Sequence, residues 1–136
     1  MSSLYSFVNL SATSRQPRGN LSSIEFHSLP FQPKRIFYVS NVPQNEIRGQ
    51  HAHYACLQIL FCVRGSFQCT LSDGESESTV LLEENGPGLL INALTWGVQF
   101  QFASNAVMLC LASEEYDSSD YIHSLEELKE ARQSLS

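Results

Sequence analysis

Apolar and polar residues alternate through most of the chain with the period of two that marks half-buried strands. Phe67, Cys69 and Leu71 are interleaved with Ser66, Gln68 and Thr70. Asp73-Gly74 then supplies the positive-φ turn of a hairpin. Comparable segments lie at 35–40, 51–63, 78–83, 88–92, 97–103 and 106–112, broken by Gly86-Pro87-Gly88 and by a turn at Ser104-Asn105. Many short strands with turn signals between them predict an all-β sandwich or barrel of antiparallel sheets. A helical period emerges only near the end. Ser124 and Glu127 form a capping-box pair, and Leu125, Leu128, Ala131 and Leu135 fall on one face, predicting a short C-terminal helix over about 124–135. Tyr116, Asp117, Asp120 and Tyr121 read as the approach to that helix. With no repeat, low-complexity tract or linker, the 136 residues are expected to form one domain, 1–136.

Composition narrows the class. A hydrophobic fraction of 43% and a charged fraction of 16% suit a globular chain with a real core. The first residues show no charged-then-apolar leader, and no apolar run approaches the roughly 20 residues of a membrane helix, so a soluble, cytoplasmic protein with no membrane partner is expected. Cys56, Cys62, Cys69 and Cys110 all sit in apolar segments without a Cys-x-x-Cys pair, which predicts buried free thiols. The net charge of −6 divides unevenly: residues 1–64 carry six bases against two acids, residues 65–136 two bases against twelve acids. An acidic total argues against a nucleic-acid partner. The early arginines, in contrast, offer forked donors that fit a small dianion such as a pyrophosphate.

The stretch Arg48-Gly-Gln-His-Ala-His53 carries the candidate chemistry. On a strand, residues two apart face the same way, so His51 and His53 point into one space. Gln58, at odd separation from both, joins them only across a bulge or from a paired strand. Imidazole titrates near neutrality and can take up and return a proton next to a ketone. Two satisfied core histidines would be the purely structural alternative.

The spacing His51-x-His53, four residues, Gln58, six residues, Gly65 resembles the first motif of the cupin superfamily, with Gln58 in the usual acidic place. No histidine follows near Gly86–Trp96 to complete a metal-ligand set, and His27 and His123 lie outside the motif, so no metal is expected. From about Arg18 to Tyr121 the chain is similar to one cupin family in particular, the sugar 3,4-ketoisomerases acting on dTDP-4-keto-6-deoxyglucose. Carrying the similarity are Arg18-Gly-Asn-Leu21, Leu29-Pro-Phe31, Lys34-Arg-Ile-Phe-Tyr38, Arg48-Gly-Gln-His-Ala-His53, Gly65-Ser66, Trp96, Leu111-Ala-Ser113 and Asp120-Tyr-Ile122.

That resemblance implies a cupin jelly-roll barrel, dimeric, with N-terminal strands exchanged between subunits. It implies a cofactor-free conversion of a dTDP-linked 4-keto sugar to its 3-keto isomer, ahead of an aminotransferase that makes a 3-amino sugar for a surface glycan. His51 would be the base at C3, and His53 would orient or relay the proton to C4. Arg18, with Arg35 or Arg48, would hold the diphosphate. Trp96 would stack on the base or sugar, or belong to the core; Tyr38 would touch ligand, or belong to the core or a subunit interface. The chain departs from the family pattern at Gln16, Phe37, Tyr54 and Gly97. These departures leave open a catalytically silent nucleotide-sugar-binding module. A metal-dependent cupin oxygenase and a sugar 3,5-epimerase are further alternatives.

Overall fold

Alternation of buried and open positions builds two antiparallel sheets whose inner faces share a core. The computed structural model describes residues 4–135. Tyr5–Val8 (β1) is followed by a small hairpin, Ala12–Gln16 (β2) and Gly19–Ser23 (β3), and then by Arg35–Ser40 (β4), Arg48–His53 (β5) and Gln58–Arg64 (β6). Ser66–Ser72 (β7), Glu77–Glu83 (β8), Gly88–Ile91 (β9), Trp96–Phe100 (β10) and Val107–Ala112 (β11) follow. Tyr121–Ile122 (β12) and the helix Leu125–Gln133 (α1) complete the chain. One five-stranded sheet runs β1-β9-β6-β11-β4, the other β12-β5-β10-β7-β8, and β2 pairs only with β3. From β4 onward successive strands alternate between the sheets, except for the β7–β8 hairpin, as in a jelly roll of the cupin type.

The core lies between the sheets. Leu60, Met108 and Cys110 of the first sheet meet Phe67, Cys69, Leu71 and Leu82 of the second, and Phe67 stacks on Phe102 at 5.1 Å. All four cysteines are buried free thiols, and burial pushes Cys62 and Cys69 up to about 11, keeping them protonated. The outer face of the first sheet, at Ile59, Phe61 and Leu111, is covered by Leu10, Ile24, Leu29 and Phe31 from the N-terminal segment. On the outer face of the second sheet Ala52, Ile122 and Leu128 pack together.

The β7–β8 hairpin follows the alternation, with Gly74 at φ 97° and the Asp73 carboxylate accepting the Glu75 and Ser76 N–H groups at 2.8 Å. Three expectations need correction. The segment 51–63 is not continuous: β5 ends at His53, and the chain turns through 54–57 into the other sheet. Asp120 accepts the N–H groups of Ala55 and Cys56, and Ser113 Oγ accepts that of Leu57; these side chains replace the lost ladder. The segment 97–103 is shorter, Trp96–Phe100, and ends at Gln101, whose φ is 52°. In α1 the Ser124 cap forms as predicted, accepting the Glu127 N–H at 3.1 Å. Of the expected apolar face, only Leu128 and Ala131 pack; Leu135 lies beyond the helix end at Gln133, and Leu125, in the first turn, stays exposed.

Candidate active site

β5 places its side chains on both sides of the second sheet. Ala52 joins the outer cluster under α1, so its neighbours His51 and His53 turn inward. The entry to the strand is shaped by Gly49, at φ 85°. A Cβ there would stand 2.7 Å from the Gly97 carbonyl oxygen and 2.8 Å from Gln99 Oε1, so only glycine lets β10 lie this close. The Gly49 carbonyl then meets His51 Nδ1 at 3.1 Å. A carbonyl only accepts, so Nδ1 carries the proton and Nε2 keeps its lone pair.

His53 is held differently. Its Nδ1 donates to Asp120 Oδ2 at 3.1 Å, and its buried Nε2 has no hydrogen-bond partner among the described residues. The two imidazoles stand edge to face, 5.1 Å between centroids, and Tyr121 lies over both at 4.9 and 4.4 Å. The short strand β12 makes this possible, because Tyr121 registers with His53 and Ile122 with Ala52. Behind the rings a narrow pocket of about 10 Å³ leaves room for one oxygen-sized group among Cys56, Gln58, Asn92, Thr95 and Gln99.

Burial sets the protonation of the pair. Desolvation, with the nearby charges of His53, His123 and Arg48, lowers His51 to about 4 against the hydrogen bond to Gly49. Desolvation also lowers His53, opposed by the Asp120 carboxylate. Both rings are therefore neutral at pH 7 and able to accept a proton.

The remaining predicted residues divide. Gln58, first residue of β6, lines the histidine pocket from the facing sheet, across the corner that the sequence did not reveal. Arg35 is half-buried, its guanidinium 5.1 Å over Phe37 and 5.6 Å from Tyr116, and its charge acts on His53; the aromatic platform is the Phe37 that departs from the family pattern. Arg48 opens β5, exposed, with its charge acting on His51. Arg18 sits at the exposed turn of the β2–β3 hairpin, outside the lining of the histidine pocket. Tyr38 is 70% exposed on the outer face of the edge strand β4. Trp96 packs beside Ala52, Ile122 and Leu128 on the face opposite the histidines.

The sequence places Asp120 and Tyr121 on the approach to the helix; the structure also brings both against the imidazoles. His123 also comes closer than the motif suggested, stacked on Tyr121 at 5.8 Å. The signal was present in Asp120-Tyr-Ile122, an acid entering an apolar pair, but two residues are too few to show a period. Among the described residues, donor atoms of His53, Cys56 and Asp120 lie within 4.8 Å of one another, a spacing a metal could use. The Asp120 oxygens there already accept three N–H bonds.

Fold and pocket together define a cupin-type domain whose inward histidines are fixed as neutral bases. A family profile described as "FdtA: WxcM-like, C-terminal" matches residues 3–133. Over 113 residues, 82% of this chain and 81% of the relative, the sequence is 36% identical to the TDP-4-oxo-6-deoxy-α-D-glucose-3,4-oxoisomerase of Aneurinibacillus thermoaerophilus. The crystal structure of QdtA, a sugar 3,4-ketoisomerase from Thermoanaerobacterium thermosaccharolyticum in complex with TDP, aligns over 100% of both chains with a TM-score of 0.91 and 31% identity. WlaRB, a TDP-quinovose 3,4-ketoisomerase from Campylobacter jejuni, aligns over 93% of this chain and 97% of its own with a TM-score of 0.85 and 32% identity. The chain belongs to the FdtA family and is a nucleotide-sugar 3,4-ketoisomerase.

Proposed function

We propose that the chain converts a TDP-linked 4-keto-6-deoxyhexose into its 3-keto isomer, with His51 as the base. The observation that carries this reading is the anchored His51 tautomer. With Nδ1–H spent on the Gly49 carbonyl and the ring neutral, Nε2 is the free lone pair of a desolvated site. Nε2 takes the proton from C3. The electrons of the C3–H bond form a C3=C4 double bond, and the carbonyl pair moves onto O4. Return of a proton to C4, with loss of the O3 proton and gain of one at O4, leaves the ketone at C3. His53, 5.1 Å from His51, is placed to relay protons along that edge of the sugar. An imidazole this hard to protonate is a weak base, so the transfer relies on stabilising the enediolate; the amides of Gln58 and Asn92 line the space where O4 would enter.

Arg35 and Arg48 supply positive charge near the two histidines for the diphosphate. Arg18 belongs to the same role if the hairpin serves a second subunit. The exposure of β2 and β3 along nearly their full length supports exchange of this arm in a homodimer. The product would be a substrate for amination at C3, in the cytoplasm, within synthesis of a surface glycan. Incubation with TDP-4-keto-6-deoxyglucose, followed by NMR of the sugar ring, tests the reading. A 3-keto product is expected; tight binding without turnover would favour a silent binding module.

A further inference from the structure

The two histidines are held by different partners: His51 leans on a neutral carbonyl, His53 on a carboxylate. Resting on the isomerase reading above, we propose that Asp120 is a positioning residue that makes His53 the ring carrying the transient positive charge of proton relay.

Three observations carry this. Asp120 is delivered to His53 from 67 residues further along the chain, at the end of the 3-10 segment Ser118–Asp120 and just before β12. Its Oδ2 accepts from His53 Nδ1 and, at 3.1 Å, from the Cys56 N–H, while Oδ1 accepts the Ala55 N–H at 2.8 Å. These backbone bonds fix the carboxylate, so it cannot turn away, and the His53 ring is fixed in turn. His53 Nε2 is left buried without a partner among the described residues, and the His53 ring lines the same pocket as Gln58 and Asn92. During the reaction Nε2 accepts the O3 proton; the imidazolium so formed faces a carboxylate, and the same proton passes to O4. No net charge accumulates and no co-reactant is consumed. Among the described residues His51 has no such counter-charge, so the geometry divides the labour between a base at carbon and a relay between oxygens.

Asp120→Asn tests the assignment. The amide keeps one accepting oxygen, which can hold the Ala55 N–H or the Cys56 N–H but not both, so a lowered Tm with the fold retained is expected, and circular dichroism checks the fold. The rate of isomerisation falls about 10²-fold, while exchange of the C3 proton with solvent falls less, so exchange per product formed rises. In the His53→Asn background the same change costs little more. Nitrogen-15 NMR of the histidines reads the dyad without substrate: wild type shows His53 protonated at Nδ1, and Asp120→Asn shows a mixture of tautomers. A variant isomerising within about twofold of wild type, losses that multiply in the double variant, or an unchanged His53 tautomer would each overturn the assignment. Failure of the wild-type enzyme to isomerise any TDP-4-keto sugar, with the tautomer shift intact, would instead count against the reaction and leave the dyad standing.

Discussion

The acid side of the rate profile follows directly from how His51 is buried. Only the neutral imidazole can accept the C3 proton, and its lowered value of about 4 sets where that form is lost. At pH 7 essentially all of it is neutral, and at pH 5 still about 91%, whereas an ordinary imidazole of pKa ~6.5 would be only ~3% neutral at pH 5. Between pH 7 and 5 the ionisation of His51 alone therefore changes kcat/KM by about 10%, against roughly 25-fold for an unperturbed histidine. The groups acting on the ring are His53, His123, Arg48, the Gly49 carbonyl and the overlying Tyr121; desolvation outweighs them. A nucleoside diphosphate ester has no ionisation of its own in this window. Stability moves in the same range. Because the folded pKa lies below the unfolded one, the unfolded chain binds the proton first, and stability is full above pH 6.5 and declines towards pH 4. The raw depression corresponds to ~3 kcal/mol, which solvent reaching a half-buried ring reduces to about 1–2 kcal/mol. Initial rates from pH 5 to 8, with circular dichroism confirming the fold at each point, decide the matter. A limb falling with an apparent pKa near 6.5 in a folded enzyme would refute the reasoning.

Other outcomes follow from single contacts. Gly49→Ala forces a Cβ against Gly97 O at 2.7 Å and strains a φ of 85°, so a loss of about 1–3 kcal/mol in urea unfolding is expected. Activity should fall further than stability, because the acceptor of His51 Nδ1 moves. Leu128→Ala empties a fully buried site under Ala52 and Ile122 and should cost about 2–5 kcal/mol in the same assay. Ser124→Ala removes only the helix cap, worth about 1 kcal/mol, and should leave kcat unchanged, since α1 packs on the face of the sheet opposite the histidines.

How much of this was legible beforehand depends on how local each feature is. The β7–β8 hairpin, the Asp73-Gly74 turn, the Ser124 cap and the shared face of His51 and His53 are properties of neighbouring residues, and all were readable. The corner after His53 was not, because Tyr54-Ala-Cys-Leu57 contains no glycine or proline and is held by Ser113 and Asp120 from far along the chain. The β2–β3 hairpin has no apolar face to reveal it: every residue of β2 is exposed. Trp96 could not be assigned a side of its sheet until the register of β10 on β5 was known. The same distance in sequence concealed Asp120 and Tyr121 as neighbours of the imidazoles.

Proton NMR in deuterium oxide observes the bond that the whole account says is broken. With a TDP-4-keto-6-deoxyhexose, wild-type protein should place solvent deuterium at C3 of the 4-keto sugar or C4 of the 3-keto product in step with isomerisation. His51→Asn should abolish both. Undiminished exchange in His51→Asn, or exchange that a chelator stops in the wild-type protein, would contradict it.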